Sequence, residues 1–142
     1  MANRTGAIVS LQTCPGHREP MQFKAAVRAV ANLGLAGDQH ARPNSPRQVL
    51  LMDEETLRQF DLPPGMVKEN VTTRGIELRT LKSGARLRLG EVLLEITKPC
   101  TPCGRMDEIR EGLRRELEGQ RGMLARVIQG GTLRVGDLIE VL

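Results

Sequence analysis

Two stretches of this chain echo one another, and together they narrow the folds open to it. Ala85-Arg86-Leu87-Arg88-Leu89-Gly90-Glu91-Val92-Leu93-Leu94-Glu95-Ile96 and Gly131-Thr132-Leu133-Arg134-Val135-Gly136-Asp137-Leu138-Ile139-Glu140-Val141 each run Leu-Arg-apolar-Gly-acid into an apolar-rich segment. Apolar residues on both sides of a glycine describe two strand arms joined at a bend, and small barrels need such bends at their corners. The match is short, so it reads as shared barrel geometry rather than a duplicated domain.

The rest of the chain agrees. Residues 6–11 read as a first strand, closed by the turn Cys14-Pro15-Gly16-His17. Residues 22–32 alternate well enough for a strand, although their alanines also permit a helix. Residues 47–52 form a buried-type strand, and 68–75 a polar loop-and-strand segment. Asp53 is placed to cap a helix through Phe60, with Glu54 and Glu55 in its first turn, and Pro63-Pro64-Gly65 ends it. Residues 107–118 carry Ile109, Leu113 and Leu117 at four-residue spacing, which predicts one amphipathic helix stopping at Gly119. The expected fold is mainly β, a barrel-like single domain over residues 1–142 with two or so peripheral helices.

Composition then removes function classes. Among 142 residues there is no Trp or Tyr, and only Phe23 and Phe60 are aromatic. Proteins that stack single-stranded bases need aromatic platforms, so nucleic acid is not an expected partner. The net charge of +4 is spread without a long run of one sign, which suits a small anionic ligand. No stretch approaches a membrane span, and residues 1–6 carry no apolar signal region. Three cysteines, an odd number, argue against a secreted disulfide framework. The cytoplasm is the expected compartment.

Chemistry concentrates in Lys98-Pro99-Cys100-Thr101-Pro102-Cys103-Gly104-Arg105. Pro99 and Pro102, one before each cysteine, hold the two thiols on a stiff, non-helical loop. A thiolate beside a cation such as Arg105 is a soft-metal ligand, a redox group or a nucleophile. Cys103 is the candidate metal or sulfur ligand, with Cys100 a possible second thiol. Arg47, Asn70, Thr72, Thr73 and Arg105 offer a polar cradle: arginine presents a planar fork to phosphate, while Thr and Asn give neutral donors. Asn70 in a strand-like segment asks for a role, since Asn is disfavoured there. Asp38 and His40, following Gly34 and Gly37, form a structural or site-lining pair.

The order of these signatures resembles a known family. Gly34-Leu35-Ala36-Gly37-Asp38-Gln39-His40, Arg47-Gln48-Val49-Leu50-Leu51, Glu69-Asn70-Val71-Thr72-Thr73-Arg74-Gly75, Cys100-Thr101-Pro102-Cys103 and Val135-Gly136-Asp137 together resemble the MOSC domain, which also forms the C-terminal domain of molybdenum cofactor sulfurases. The resemblance runs from about His17 onward and implies a β-barrel-rich fold that holds molybdopterin, a pterin dithiolene bearing a phosphate. It implies a cysteine in the position of Cys103 that ligates molybdenum or carries sulfur. Some relatives reduce N-hydroxylated bases, and others serve in cofactor sulfuration. The pyridoxal-phosphate-dependent desulfurase domain of full sulfurases is not expected here, nor are ferredoxin-like or flavin domains. A separate electron donor or molybdoenzyme is therefore an expected partner.

Rival readings remain open at this level. Cys14-Pro15-Gly16-His17 and Cys100-Thr101-Pro102-Cys103 each have the spacing of a zinc knuckle, and their meeting would make a structural Cys₃His site. The single Cys-x-x-Cys also permits thiol–disulfide exchange. A non-catalytic module that binds a partner is the third alternative.

Overall fold

The computed structural model describes residues 4–142. Its strands are β1 (Thr5–Thr13), β2 (Gln22–Lys24), β3 (Ala26–Val30), β4 (Gly34–Leu35), β5 (Val49–Asp53), β6 (Val71–Arg74), β7 (Arg86–Leu89), β8 (Val92–Pro99), β9 (Met123–Gln129), β10 (Gly131–Arg134) and β11 (Leu138–Val141). Three short helices interrupt them: α1 (Glu54–Gln59), α2 (Arg105–Ile109) and α3 (Leu113–Glu116).

Among the described residues seven strands close a barrel in the order β11-β7-β8-β9-β5-β6-β1, with β1 pairing back onto β11. A closed ring of seven cannot alternate direction all the way round, so at least one neighbouring pair must be parallel. That pair is β5–β6, with Leu51 opposite Val71 and Asp53 opposite Thr73. Parallel neighbours need a crossover rather than a hairpin, and α1 supplies its helical part. β2 pairs beside β1, while β10, β3 and β4 form a separate small sheet. The two echoing segments therefore diverge. Arms β7 and β8 pair with each other around Gly90, whereas Gly136 (φ 95°) carries the chain from β10 in the small sheet to β11 in the barrel.

Period-two alternation in β5 explains its unbroken apolar run. Val49 and Leu51 join the barrel core with Ile8, Val71, Leu94 and Ile96. Leu50 faces the other way, against Cys100 and Leu124. Met52 packs with Leu57, Met106, Leu113 and Leu117 under the helices. A strand covered on both faces has no position left for a polar residue. Each such leucine or isoleucine contributes about 1.5–3 kcal/mol by leaving water.

The Asp53 cap forms as expected: its carboxylate accepts from the Thr56 amide at 3.0 Å and the Thr56 hydroxyl at 2.6 Å. The strand expected over residues 22–32 runs to Val30, split at Ala25 into β2 and β3 of different sheets. The single helix expected over 107–118 is instead two. Arg110 is extended (φ −159°) and Gly112 takes a left-handed φ of +85°, which only glycine adopts without strain. Leu113 and Leu117 are nevertheless buried in the core, so the apolar pattern was a true signal of burial but not of continuity. No helix among the described residues is long and apolar enough to cross a membrane.

Candidate functional site

One end of the barrel gathers loops from four points in the chain around a small cleft. His40 and Arg47 come from the segment between β4 and β5, Lys68 and Asn70 from the approach to β6, Cys100 from the end of β8, and Arg121 from the approach to β9. Leu50 and Leu124 complete a cavity of about 90 Å³. The Cys100 amide donates to the Gly122 carbonyl at 2.9 Å, which ties the cysteine loop to the segment bearing Arg121.

Asn70 is the knot behind this cleft. Its Oδ1 accepts from the Leu50 amide at 2.9 Å, and its Nδ2 donates to the Gln12 carbonyl at 3.2 Å and to Asp38 Oδ1 at 3.1 Å. The side chain thus binds β1, β5 and Asp38 together, which answers why an asparagine stands there. Asp38 also accepts from the amides of Cys14 at 2.7 Å and His40 at 3.1 Å, and its Oδ2 lies 3.4 Å from His40 Nδ1. Asp38 supports the wall; His40, half exposed, lines it.

A second buried polar group lies at Glu69, which is fully buried. Its Oε2 accepts from the Gly65 amide and the Thr72 hydroxyl, both at 2.9 Å, while Oε1 has no partner. Burial pushes this carboxyl above its ordinary range, opposed in part by those hydrogen bonds and by the charge of Arg121. Arg121 is only 6 % exposed, and its Nε and one Nη find no partner. A buried guanidinium with idle donors is costly unless something anionic meets it.

The expected site residues therefore separate. The cleft brings together Arg47, Asn70, His40 and Cys100. Thr72 and Thr73 are buried inside β6; the Thr72 hydroxyl serves Glu69 and accepts from Gln12 Nε2 at 3.3 Å, and the Thr73 hydroxyl has no partner. Arg105 lines a neighbouring hollow of about 180 Å³ with Met66, Lys68, Met106, Glu108 and Ile109. Cys103 is exposed on the loop between β8 and α2 and lines neither the cleft nor the hollow, whereas Cys100 is buried. Arg121, Lys68 and Glu69 were not among the expected residues. Lys68 and Glu69 adjoin Asn70 in sequence, but Arg121 sits in Gln120-Arg121-Gly122, where local sequence reads as a solvated turn.

The zinc alternative is corrected by this geometry. Among the described residues no three His, Cys, Asp or Glu side chains are arranged to hold a metal ion. Cys14 lies near its own turn, its thiol 3.2 Å from the Gly16 carbonyl oxygen, and His17 is exposed. A larger groove of about 650 Å³ between Thr101-Pro102 and α3 is open, its lining mixing Asp107, Glu111 and Glu118 with Arg114 and Arg115. It holds no cysteine and no buried unpartnered group, so the smaller cleft is the better site.

That cleft suits a small anionic ligand. Its lining holds Arg47, Lys68, Arg121 and His40 and no carboxylate, with a thiol in the wall. Its volume equals roughly three waters at about 30 Å³ each, which accommodates one phosphate-sized group. A larger ligand must extend across the mouth.

Comparison with known proteins agrees with this architecture. The YuaD protein from Bacillus subtilis superposes with a TM-score of 0.79 at 20% identity, covering 96% of this chain and 95% of that one. YiiM from Geobacillus stearothermophilus gives 0.77 at 18% identity over 96% and 75% of the two chains. YiiM from Escherichia coli gives 0.68 at 19% identity over 100% and 70%. At such identities the likeness concerns fold alone. No curated protein matches the sequence. The family model of the MOSC domain, however, matches residues 38–140, from the aspartate behind the cleft through the barrel-closing strand, and the chain belongs to the MOSC domain family.

Proposed function

We propose that this protein binds the molybdenum cofactor and serves with it as a terminal reductase of N-hydroxylated compounds. The observation that carries the reading is Arg121: a buried guanidinium with idle donors in the wall of a basic cleft that also bears a thiol. Arg47 and Arg121 would hold the cofactor's phosphate, with His40 supplying a further donor. The thiolate of Cys103 would ligate the metal, since a soft ligand suits molybdenum among dithiolene sulfurs. Leu50 and Leu124 keep water from the inner wall.

When bound, the cofactor would supply the redox metal at which an N–O bond is reduced. Conversion of R–NHOH to R–NH₂ breaks that bond, consumes two electrons and two protons, and releases water. The electrons would come from a separate reduced flavin or iron–sulfur protein. The exposed, free thiol of Cys103 favours a second reading, a carrier that accepts sulfane sulfur as a persulfide and delivers it to a molybdoenzyme.

The test is metal analysis of protein made in a host that produces molybdenum cofactor, comparing wild type with Cys103→Ala and Arg121→Met. Near-stoichiometric molybdenum in the wild type, lost in both variants, is expected. Wild-type protein without molybdenum, or variants that retain it, would overturn the reading. Turnover of benzamidoxime with an artificial reductant supports the reductase; a persulfide trapped on Cys103 supports the carrier.

A further inference from the structure

Lys68 is the residue shared by the cleft and the hollow beside it. Its φ of +67° lies in the left-handed region, which for a lysine costs on the order of 1 kcal/mol and persists only when neighbours impose it. They do. The Lys68 amide donates to the Gly65 carbonyl at 3.1 Å, while the buried Glu69 carboxylate accepts from the Gly65 amide. This turn places Met66, 39% exposed, and Lys68 along one side of the hollow. Across from them stand Arg105, Met106, Glu108 and Ile109 of α2.

The charges in the hollow are unequal. Glu108 is paired with Arg18 at 3.1 Å, and Lys68 Nζ donates only to the Glu19 carbonyl at 3.2 Å. Arg105 enters none of the ion pairs among the described residues. The result is an apolar floor of methionine and isoleucine with two uncompensated cations. A cavity of about 150 Å³ accepts a benzene ring, and this one measures about 180 Å³. Arg105 follows Cys103 by two positions, a span of at most about 7 Å of chain, although Cys103 itself does not line the hollow.

We infer that this hollow is a substrate site selective for N-hydroxylated compounds with a flat apolar body and an anionic substituent. The inference rests on the reductase reading for the reaction but not for the binding. Methionine methyls adapt to flat rings, and Lys68 and Arg105 meet a carboxylate or phosphate at its rim. Cationic analogues are disfavoured by the same two groups.

The test uses benzamidoximes bearing a para-carboxylate, no substituent or a para-trimethylammonium group. Methionine-methyl NMR of the protein as purified reads binding directly, whatever the cofactor content. The carboxylate should shift the Met66 and Met106 methyls and bind at least tenfold tighter than the neutral compound, with the cation weakest. Arg105→Glu should reverse the order, with the methionine-methyl spectrum of the free variant reporting an intact fold. An order untouched by Arg105→Glu, or shifts confined to other methionines, would overturn the inference. Molybdenum and turnover with no charge preference would sink this inference alone. Charge-selective binding without molybdenum would uphold the hollow and sink the reductase.

Discussion

Thr72 and Thr73 are neighbours in one strand, equally buried, and opposite in circumstance. The Thr72 hydroxyl donates to Glu69 and accepts from Gln12; the Thr73 hydroxyl has no partner. The same contrast recurs on a larger scale across the cleft. The Asp38–Asn70 knot engages its buried polar atoms, whereas Glu69 and Arg121 leave three between them idle. A satisfied network holds a fold in one arrangement, while an unsatisfied one stores destabilisation that a ligand can relieve. The difference divides scaffold from site more sharply than residue type does: Asn70 looks like a ligand-binding residue and chiefly braces, while Arg121 looks like a surface cation and chiefly waits.

Breaking the knot should have the largest effect. Asn70→Ala leaves the Leu50 amide, the Gln12 carbonyl and one oxygen of Asp38 short of a partner, and should cost about 3–5 kcal/mol in urea unfolding. On the waiting side, Arg121→Met should change stability by no more than about 1 kcal/mol, because relief of two buried nitrogens without partners offsets the lost attraction to Glu69.

Glu69→Gln sharpens the contrast through pH. Burial raises the folded-state carboxyl above its ordinary 4.5, so the native chain binds more protons than the unfolded chain between the two values. Wild-type stability should therefore fall as pH rises through that interval. The glutamine variant, which keeps an acceptor for Gly65 and Thr72, should match wild type at pH 4 and exceed it at pH 7 in thermal melts. The smallest effects compare the two threonines directly. Thr72→Val should cost about 1–2 kcal/mol, and Thr73→Val about 0.5 kcal/mol or less.

Elements with local causes were legible in the sequence. Asp53 announces α1 because the cap and its target lie three residues apart. Val49, Leu50, Leu51 and Met52 announce a strand covered on both faces. Gly112 was a weaker signal than the leucines beside it, so a broken helix read as a whole one. The echoing segments predicted bends but not that one bend would leave the barrel, because that depends on β3 waiting beside β10. The site was half legible. Arg47, His40, Asn70 and Cys100 converge as their motifs suggested, but Arg121 is buried by partners distant in the chain. Gly122 beside it lies so close to the Leu51 carbonyl that an added Cβ would sit 2.3 Å away, a tertiary constraint that no local pattern carries.

Barrel closure also sets an order in time. β1 pairs with β6 and β11, placing Thr5 opposite Glu140 across almost the whole described chain. During synthesis at roughly 5–20 residues per second, β1 is made long before its β11 partner exists. The β7–β8–β9 meander can assemble early from neighbouring segments, while the seam at β1 must close last and against a large loop entropy. Until then both rims of the incomplete barrel are open strand edges. The candidate cleft is thus complete only once residue 124 has been made, late in the life of the chain.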